Sequence, residues 1–312
     1  MLDSLILLSG TLFGSIVAVL IEPLYLVAQF RIGLLIFAGN TVLAGLVAVS
    51  LGVYDRMRRQ IEASYSVLRE RDALERELGV ARDVQRQLLP HQAPDMPGLE
   101  LAGMCRQAIA VGGDYYDYLR LADGRLGLVI ADVSGKGVPA ALLMASLQAS
   151  VRSLFLTVVD PGTLNAGLND ALFRASSAAR YATAFLATFD PQTGRLEYSN
   201  AGHLPPVLVR RADTVRCEEG GVPIGLFEGS AYDTESQTLA SGDLLAMFTD
   251  GVTEAPAPDG DEFGSARLAD LLRAHRDQPL EEIIETVLEA VAQWSGPIDA
   301  HDDVTLVLAR VP

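Results

Sequence analysis

The chain has 312 residues, 49% of them hydrophobic and 21% charged, with a formal charge of -16. That length accommodates one large domain or two smaller ones with a buried core, and the apolar content excludes a disordered chain. The acidity, with Lys136 as the only lysine, argues against nucleic acid as a partner, and Cys105 and Cys217 lie too far apart, without CxxC or Cys/His spacing, for a disulfide framework or a zinc site.

The apolar excess is concentrated at the N-terminal end. Between Ser4 and Tyr54 the only charges are Glu22 and Arg31, leaving uncharged runs of 18 residues (4–21) and 23 residues (32–54). About 20 apolar residues cross a bilayer as a helix, so residues 1–55 read as a transmembrane helical hairpin with Glu22 and Pro23 near its turn. A secretory signal ranks below this reading, because Met1-Leu2-Asp3 offers no basic region and a second long run follows. Arg56, Arg58 and Arg59 follow the second run directly and favour the cytoplasmic face, which predicts an inner-membrane protein with both ends and the rest of the chain in the cytoplasm.

Residues 56–90 read as a helical linker. Up to residue 89 Gly79 is the sole breaker, and Ile61, Tyr65 and Leu68, then Val67, Leu74, Leu78, Ala81 and Leu88, make a narrow apolar seam whose register slips near 68–71. Such a seam behind a membrane segment predicts a homodimer paired through this coiled-coil-like helix.

Residues 91–312 carry 15 basic and 31 acidic residues, the whole net charge of the chain. Short apolar or alternating runs bounded by Gly, Pro and Asp predict strands at 99–104, 115–121, 125–131, 182–189, 195–200, 207–211, 243–249 and 304–310. Helical spacing marks Pro139–Val158, Thr163–Ser177, Ser265–His275 and Leu280–Trp294. Strands in runs and helices in pairs predict an α+β fold of two packed antiparallel β-sheets flanked by helices.

Several carboxylates stand at the ends of these strands: Asp114 and Asp117 in VGGDYYD, Asp132 closing LGLVIAD, Asp250 closing LLAMFTD, and Asp302 and Asp303 before the last strand. A lone one is a turn residue closing a strand. Strand rims that meet in space would instead form a self-repelling cluster suited to hard divalent cations such as Mg2+ or Mn2+, which accept carboxylate and water oxygens.

In this order, VGGDYYD, ADVSGKGVPAALLMA, NAGHLPP, FTDGVTEA and DDVTL resemble the SpoIIE/RsbU-like branch of the metal-dependent PPM (type 2C) serine/threonine phosphatases, over residues 81–310. ARDVQRQLLP, residues 81–90, resembles the entry helix of that branch. The resemblance implies that Asp132 bridges two Mn2+ or Mg2+ ions with the carbonyl of Val133 as a further ligand. It also implies that Asp250 and Asp302 bind the first ion and that Asp114 acts through water, with Asp303 and Asp117 behind them. The implied reaction is hydrolysis of a phosphoserine or phosphothreonine monoester by a metal-activated water. The implied substrate is a STAS-type anti-sigma factor antagonist in partner-switching signalling, and the competing reading is a non-catalytic adaptor that binds a phosphoprotein at the inner membrane.

Lys136 reads either as a phosphate contact or as a counter-charge to the acids. His203 in NAGH reads as a turn histidine before a proton donor. Arg106 is not nominated for phosphate binding. Gly135-Lys136-Gly137 is no P-loop, since residue 137 lacks a hydroxyl. The helix after the Asp132 loop is placed to carry a signal from the linker to the acids.

Overall fold

The computed structural model describes residues 2–175, 180–218, 220–296 and 302–312, with side chains from Ser9 onward. The chain divides into two compact units, Met1–Leu74 and Glu75–Pro312.

Helix α1 runs from Leu2 to Arg86 with Pro23 inside it. The hairpin read from the sequence is therefore corrected, because the two apolar runs are one helix. Proline removes one backbone hydrogen bond, but the residues around it, Leu20-Ile21-Glu22 and Leu24-Tyr25-Leu26, carry no glycine, asparagine or aspartate to leave helical dihedrals, so the helix passes through. Among the described residues α1 is the one helix long and apolar enough to cross a membrane. Its apolar side chains, from Leu12 and Phe13 to Val53, are exposed, as are Ile61, Tyr65, Leu68 and Leu74 of the seam.

The second unit follows in chain order with β1 (Glu100–Arg106), β2 (Asp114–Arg120), β3 (Leu126–Val133), α2 (Val138–Leu154), α3 (Pro161–Ala175), β4 (Ala182–Asp190) and β5 (Arg195–Ala201). It continues with β6 (Val207–Val209), β7 (Thr214–Arg216), β8 (Gly220–Gly221), β9 (Glu235–Thr238), β10 (Leu244–Phe248), α4 (Asp250–Thr253), α5 (Gly264–His275), α6 (Leu280–Ser295) and β11 (Val304–Arg310). The end of the expected helix Thr163–Ser177 falls at Ser177, outside the described residues.

One sheet has the order β1-β11-β10-β6-β7 and the other β2-β3-β4-β5-β8, with β9 also on β5. The pairings are antiparallel as expected, except that β5 and β8 run parallel through Asn200–Gly220 and Ala201–Gly221. Strand alternation then assigns the layers. Leu128 and Ile130 of β3 meet Met247 and Val307 between the sheets. Val129 and Ala131, one residue out of phase, meet Met144 and Leu147 of α2 and Leu164 and Leu168 of α3. On the opposite side Ala246 and Phe248 pack against Leu268 and Leu272 of α5 and Ile283 and Val287 of α6. Because both faces of the central strands are covered, β3 and β10 read as almost unbroken apolar runs. Each buried Leu, Ile, Val, Met or Phe among them contributes about 1.5–3 kcal/mol.

Candidate active site

The register of the two sheets brings several chain segments to one end of the sandwich. Arg106, the last residue of β1, pairs with Val304, the first of β11, and Phe248, the last of β10, pairs with Leu306. Asp302, Asp303, Thr249 and Asp250 extend from those strand ends. In the facing sheet Asp114 pairs with Asp132. Both lie in phase with Tyr116 and Ile130, whose side chains fill the space between the sheets.

Asp114 is buried, and its Oδ2 accepts hydrogen bonds from Thr249 Oγ1 at 2.8 Å and Thr305 Oγ1 at 2.6 Å. The carboxylate thus ties the two sheets together. Its pKa is held well above the ordinary value, by burial first and the charge of Asp132 second, against the pull of the two hydroxyls. Asp303 is also buried. Its Oδ1 accepts from the Ala108 N–H and its Oδ2 from the Gly113 N–H, both at 2.9 Å. It braces the loop before Asp114, and a Cβ on Gly112 would overlap its carboxylate.

Asp132, Asp250 and Asp302 are partly exposed at the mouth of this region. Burial and then the charges of Asp250, Asp302 and Asp303 push the Asp132 carboxyl up to about 7. Burial and Asp302 raise Asp250, while the Gly251 N–H and Lys136 pull it down. Lys136 Nζ sits 2.7 Å from Asp302 Oδ2, a pair of which both members are about half exposed. That pairing is the one expected of a counter-charge to the acids.

Whether these residues suit divalent cations is testable on their chemistry and on the backbone around them. Every candidate donor is a hard oxygen, and a cation would offset both the burial and the neighbouring charges that raise Asp132. A Cβ on Gly113 would come within 2.7 Å of the Val133 carbonyl oxygen and 3.2 Å of Asp132 Oδ1, so only glycine leaves that space to an ion. Among the described residues no three Asp, Glu, His or Cys side chains are drawn together as a ready-made chelate. The donors fit in kind and lie near enough to feel one another's charge, with the Lys136 ammonium beside them.

Two residues singled out in the sequence stand elsewhere. Asp117 is three positions from Asp114 and so on the other face of β2, where it accepts from Tyr115 Oη at 2.9 Å and Arg152 Nε at 2.8 Å. His203 is buried between β4 and the NAGH turn, with Nδ1 2.9 Å from Thr183 Oγ1, and its N–H donates to Asn200 Oδ1 at 2.7 Å. Burial holds its pKa down at about 4, so the ring is neutral. Arg106, passed over in the sequence, lines a groove with Asp250, Gly251, Glu254 and Asp302. Thr249 and Thr305 also escaped notice, although their place beside the acidic strand ends was the signal available.

The sequence profile described as "Stage II sporulation protein E (SpoIIE)" matches residues 122–312. The phosphoserine phosphatase RsbU of Bacillus subtilis is 28% identical over 236 residues, which is 75% of this chain and 70% of RsbU. Among solved structures, the SiaA-PP2C domain of Pseudomonas aeruginosa superposes with a TM-score of 0.69 at 25% identity, covering 78% of this chain and 98% of that domain. The RsbU and RsbW domains of Rv1364c from Mycobacterium tuberculosis give 0.64 at 30% identity, over 72% of this chain and 64% of theirs.

Proposed function

The chain belongs to the SpoIIE family of PPM-type serine/threonine phosphatases, and from that premise we propose that it is a membrane-anchored enzyme that removes phosphate from serine or threonine of a protein. The observation that carries the reading is the meeting of strand-end carboxylates from both sheets: Asp132 on one, Asp250 and Asp302 from the other, near enough for their charges to add to burial in raising the Asp132 carboxyl.

In this reading Asp132, the Val133 carbonyl, Asp250 and Asp302 would hold two divalent cations, Mn2+ or Mg2+, with Asp114 and Asp303 supporting them. When bound, the cations supply a water of lowered pKa and polarise the phosphoryl oxygens. The chain's own residues do the rest. Asp303 fixes the Ala108–Gly113 loop through two backbone N–H groups. Thr249 and Thr305 hold Asp114 in one orientation. Lys136 balances the acids through its pair with Asp302. Arg106, which lines the groove beside Asp250 and Asp302, would give the phosphate dianion a charge-assisted contact.

The substrate we propose is a phosphorylated STAS-type anti-sigma factor antagonist, as the family resemblance implies, and the likeness to a phosphoserine phosphatase supports phosphoserine as the group hydrolysed. Residues 1–55 serve as the anchor and 56–90 as the linker through which two copies pair, leaving 91–312 as the cytoplasmic catalytic domain. The exposed apolar surface of α1 supports both contacts. The test is phosphate release from a phosphoserine-bearing STAS protein by the full chain. Expected are dependence on Mn2+ or Mg2+, arrest by EDTA, and a loss of at least about 100-fold in Asp132→Asn, the scale of removing a preorganised electrostatic group. EDTA-resistant turnover would overturn the proposal, and binding of the phosphoprotein without turnover would make the chain an adaptor.

A further inference from the structure

Gln85, in the last turn of α1, is 4% exposed while Val80 and Val84 beside it face outward. Its amide acts as both donor and acceptor. Nε2 donates to the Gly112 carbonyl at 2.8 Å, and Oε1 accepts the Gly112 N–H at 3.0 Å and Gln107 Nε2 at 2.6 Å. Both backbone polar groups of one glycine are therefore read by one side chain, which needs a donor and an acceptor on the same planar group.

What Gly112 is joined to gives this contact its consequence. The next residue, Gly113, donates to Asp303 Oδ2 at 2.9 Å and accepts from the Val133 N–H at 3.3 Å, and Asp114 follows it. Gly112 itself is packed so closely on the Asp303 carboxylate that a Cβ there would overlap it. One short peptide segment thus connects the end of α1 to Asp303, Val133 and Asp114. Attachment of the helix end to the domain does not require this arrangement, since Gln148 Nε2 of α2 separately donates to the Leu88 carbonyl at 3.3 Å.

We infer that Gln85 is a positioning residue that couples the end of α1 to the Gly112–Asp114 segment, so that the affinity of the acidic basin for a divalent cation depends on where that helix end lies. The inference rests on the phosphatase reading above. It gives a signal arriving along α1 a route into the site through a backbone clasp, without passing through α2.

The test is Mn2+ binding to the full chain in detergent micelles, followed by loss of the free-ion EPR signal, with the thermal unfolding midpoint recorded in EDTA on the same samples. Gln85→Leu is expected to weaken Mn2+ binding about tenfold, the scale of one or two hydrogen bonds. Gln85→Glu, which keeps an acceptor for the Gly112 N–H, is expected to fall between. Gln148→Leu lowers the midpoint and leaves Mn2+ affinity within about twofold, because its bond does not touch Gly112. Reciprocity requires Mn2+ to slow amide hydrogen exchange over residues 80–88 in the native chain and not in Gln85→Leu.

Native affinity in Gln85→Leu, or an equal loss in Gln148→Leu, would overturn the coupling. If Gln85→Leu does not fold, Gln85→Glu decides alone, and unchanged affinity there overturns it. A native chain that binds no Mn2+ would instead sink the phosphatase reading, and the coupling with it.

Discussion

Asp114 shows how a buried carboxylate is kept in a protein core: two threonine hydroxyls reach it from strands of the opposite sheet. Thr305→Val removes the shorter of these bonds at nearly constant volume. The expected loss of stability is about 1–2 kcal/mol, read as a lower urea midpoint with unchanged slope. His203 supplies one limb of the pH dependence, opposed over the same range by the raised carboxyls of Asp114 and Asp132. The unfolded chain takes up a proton on this residue near pH 6.5 but the folded chain only near 4, since burial disfavours the imidazolium. A depressed folded pKa gives stability that is complete above 6.5 and lost as pH falls toward 4, up to about 3 kcal/mol. His203→Gln should flatten that limb of a pH series of urea midpoints; an unchanged limb would place the effect on other groups.

Among the elements, strands with a full apolar complement were legible because both of their faces are covered, and the last strand falls at Val304–Arg310, as its pattern indicates. The short edge strands β7 (Thr214–Arg216), β8 (Gly220–Gly221) and β9 (Glu235–Thr238) were not, since they are held by pairing rather than by apolar side chains. The acidic basin was legible in outline, as carboxylates closing apolar strands. Strand parity adds a distinction that residue type does not, because Asp114 and Asp117 are three apart and must face opposite ways. The Gln85–Gly112 clasp joins positions 27 apart with no pattern in common, so nothing local could announce it. Parity also carries a prediction. Arg152→Leu strips the guanidinium from the 2%-exposed Asp117 side chain and is expected to destabilise by about 1–3 kcal/mol in thermal unfolding. Mn2+ affinity should not change, as Asp117 lies across the sheet from the basin.

At the scale of the whole molecule, the charge and the apolar surface are separated along the chain. Residues 91–312 carry all of the net charge, and α1 carries exposed apolar side chains from Leu12 to Val53. Counting uncharged runs located that surface but could not distinguish a turn from a continuous helix, because composition alone does not say whether Pro23 ends a helix or sits in one. The expected behaviour is retention of the full chain in the membrane fraction through high-salt and alkaline washes, and release of a chain lacking residues 2–55. Retention of the shortened chain would move the anchor elsewhere.

Anomalous diffraction at the manganese edge, from crystals of Glu75–Pro312 soaked in Mn2+, tests most directly that the strand-end carboxylates hold the ions. The expected result is density between Asp132, Asp250 and Asp302, with Lys136 moved off Asp302. Soaked crystals with no peak touching Asp132, and Lys136 still paired with Asp302, would contradict it.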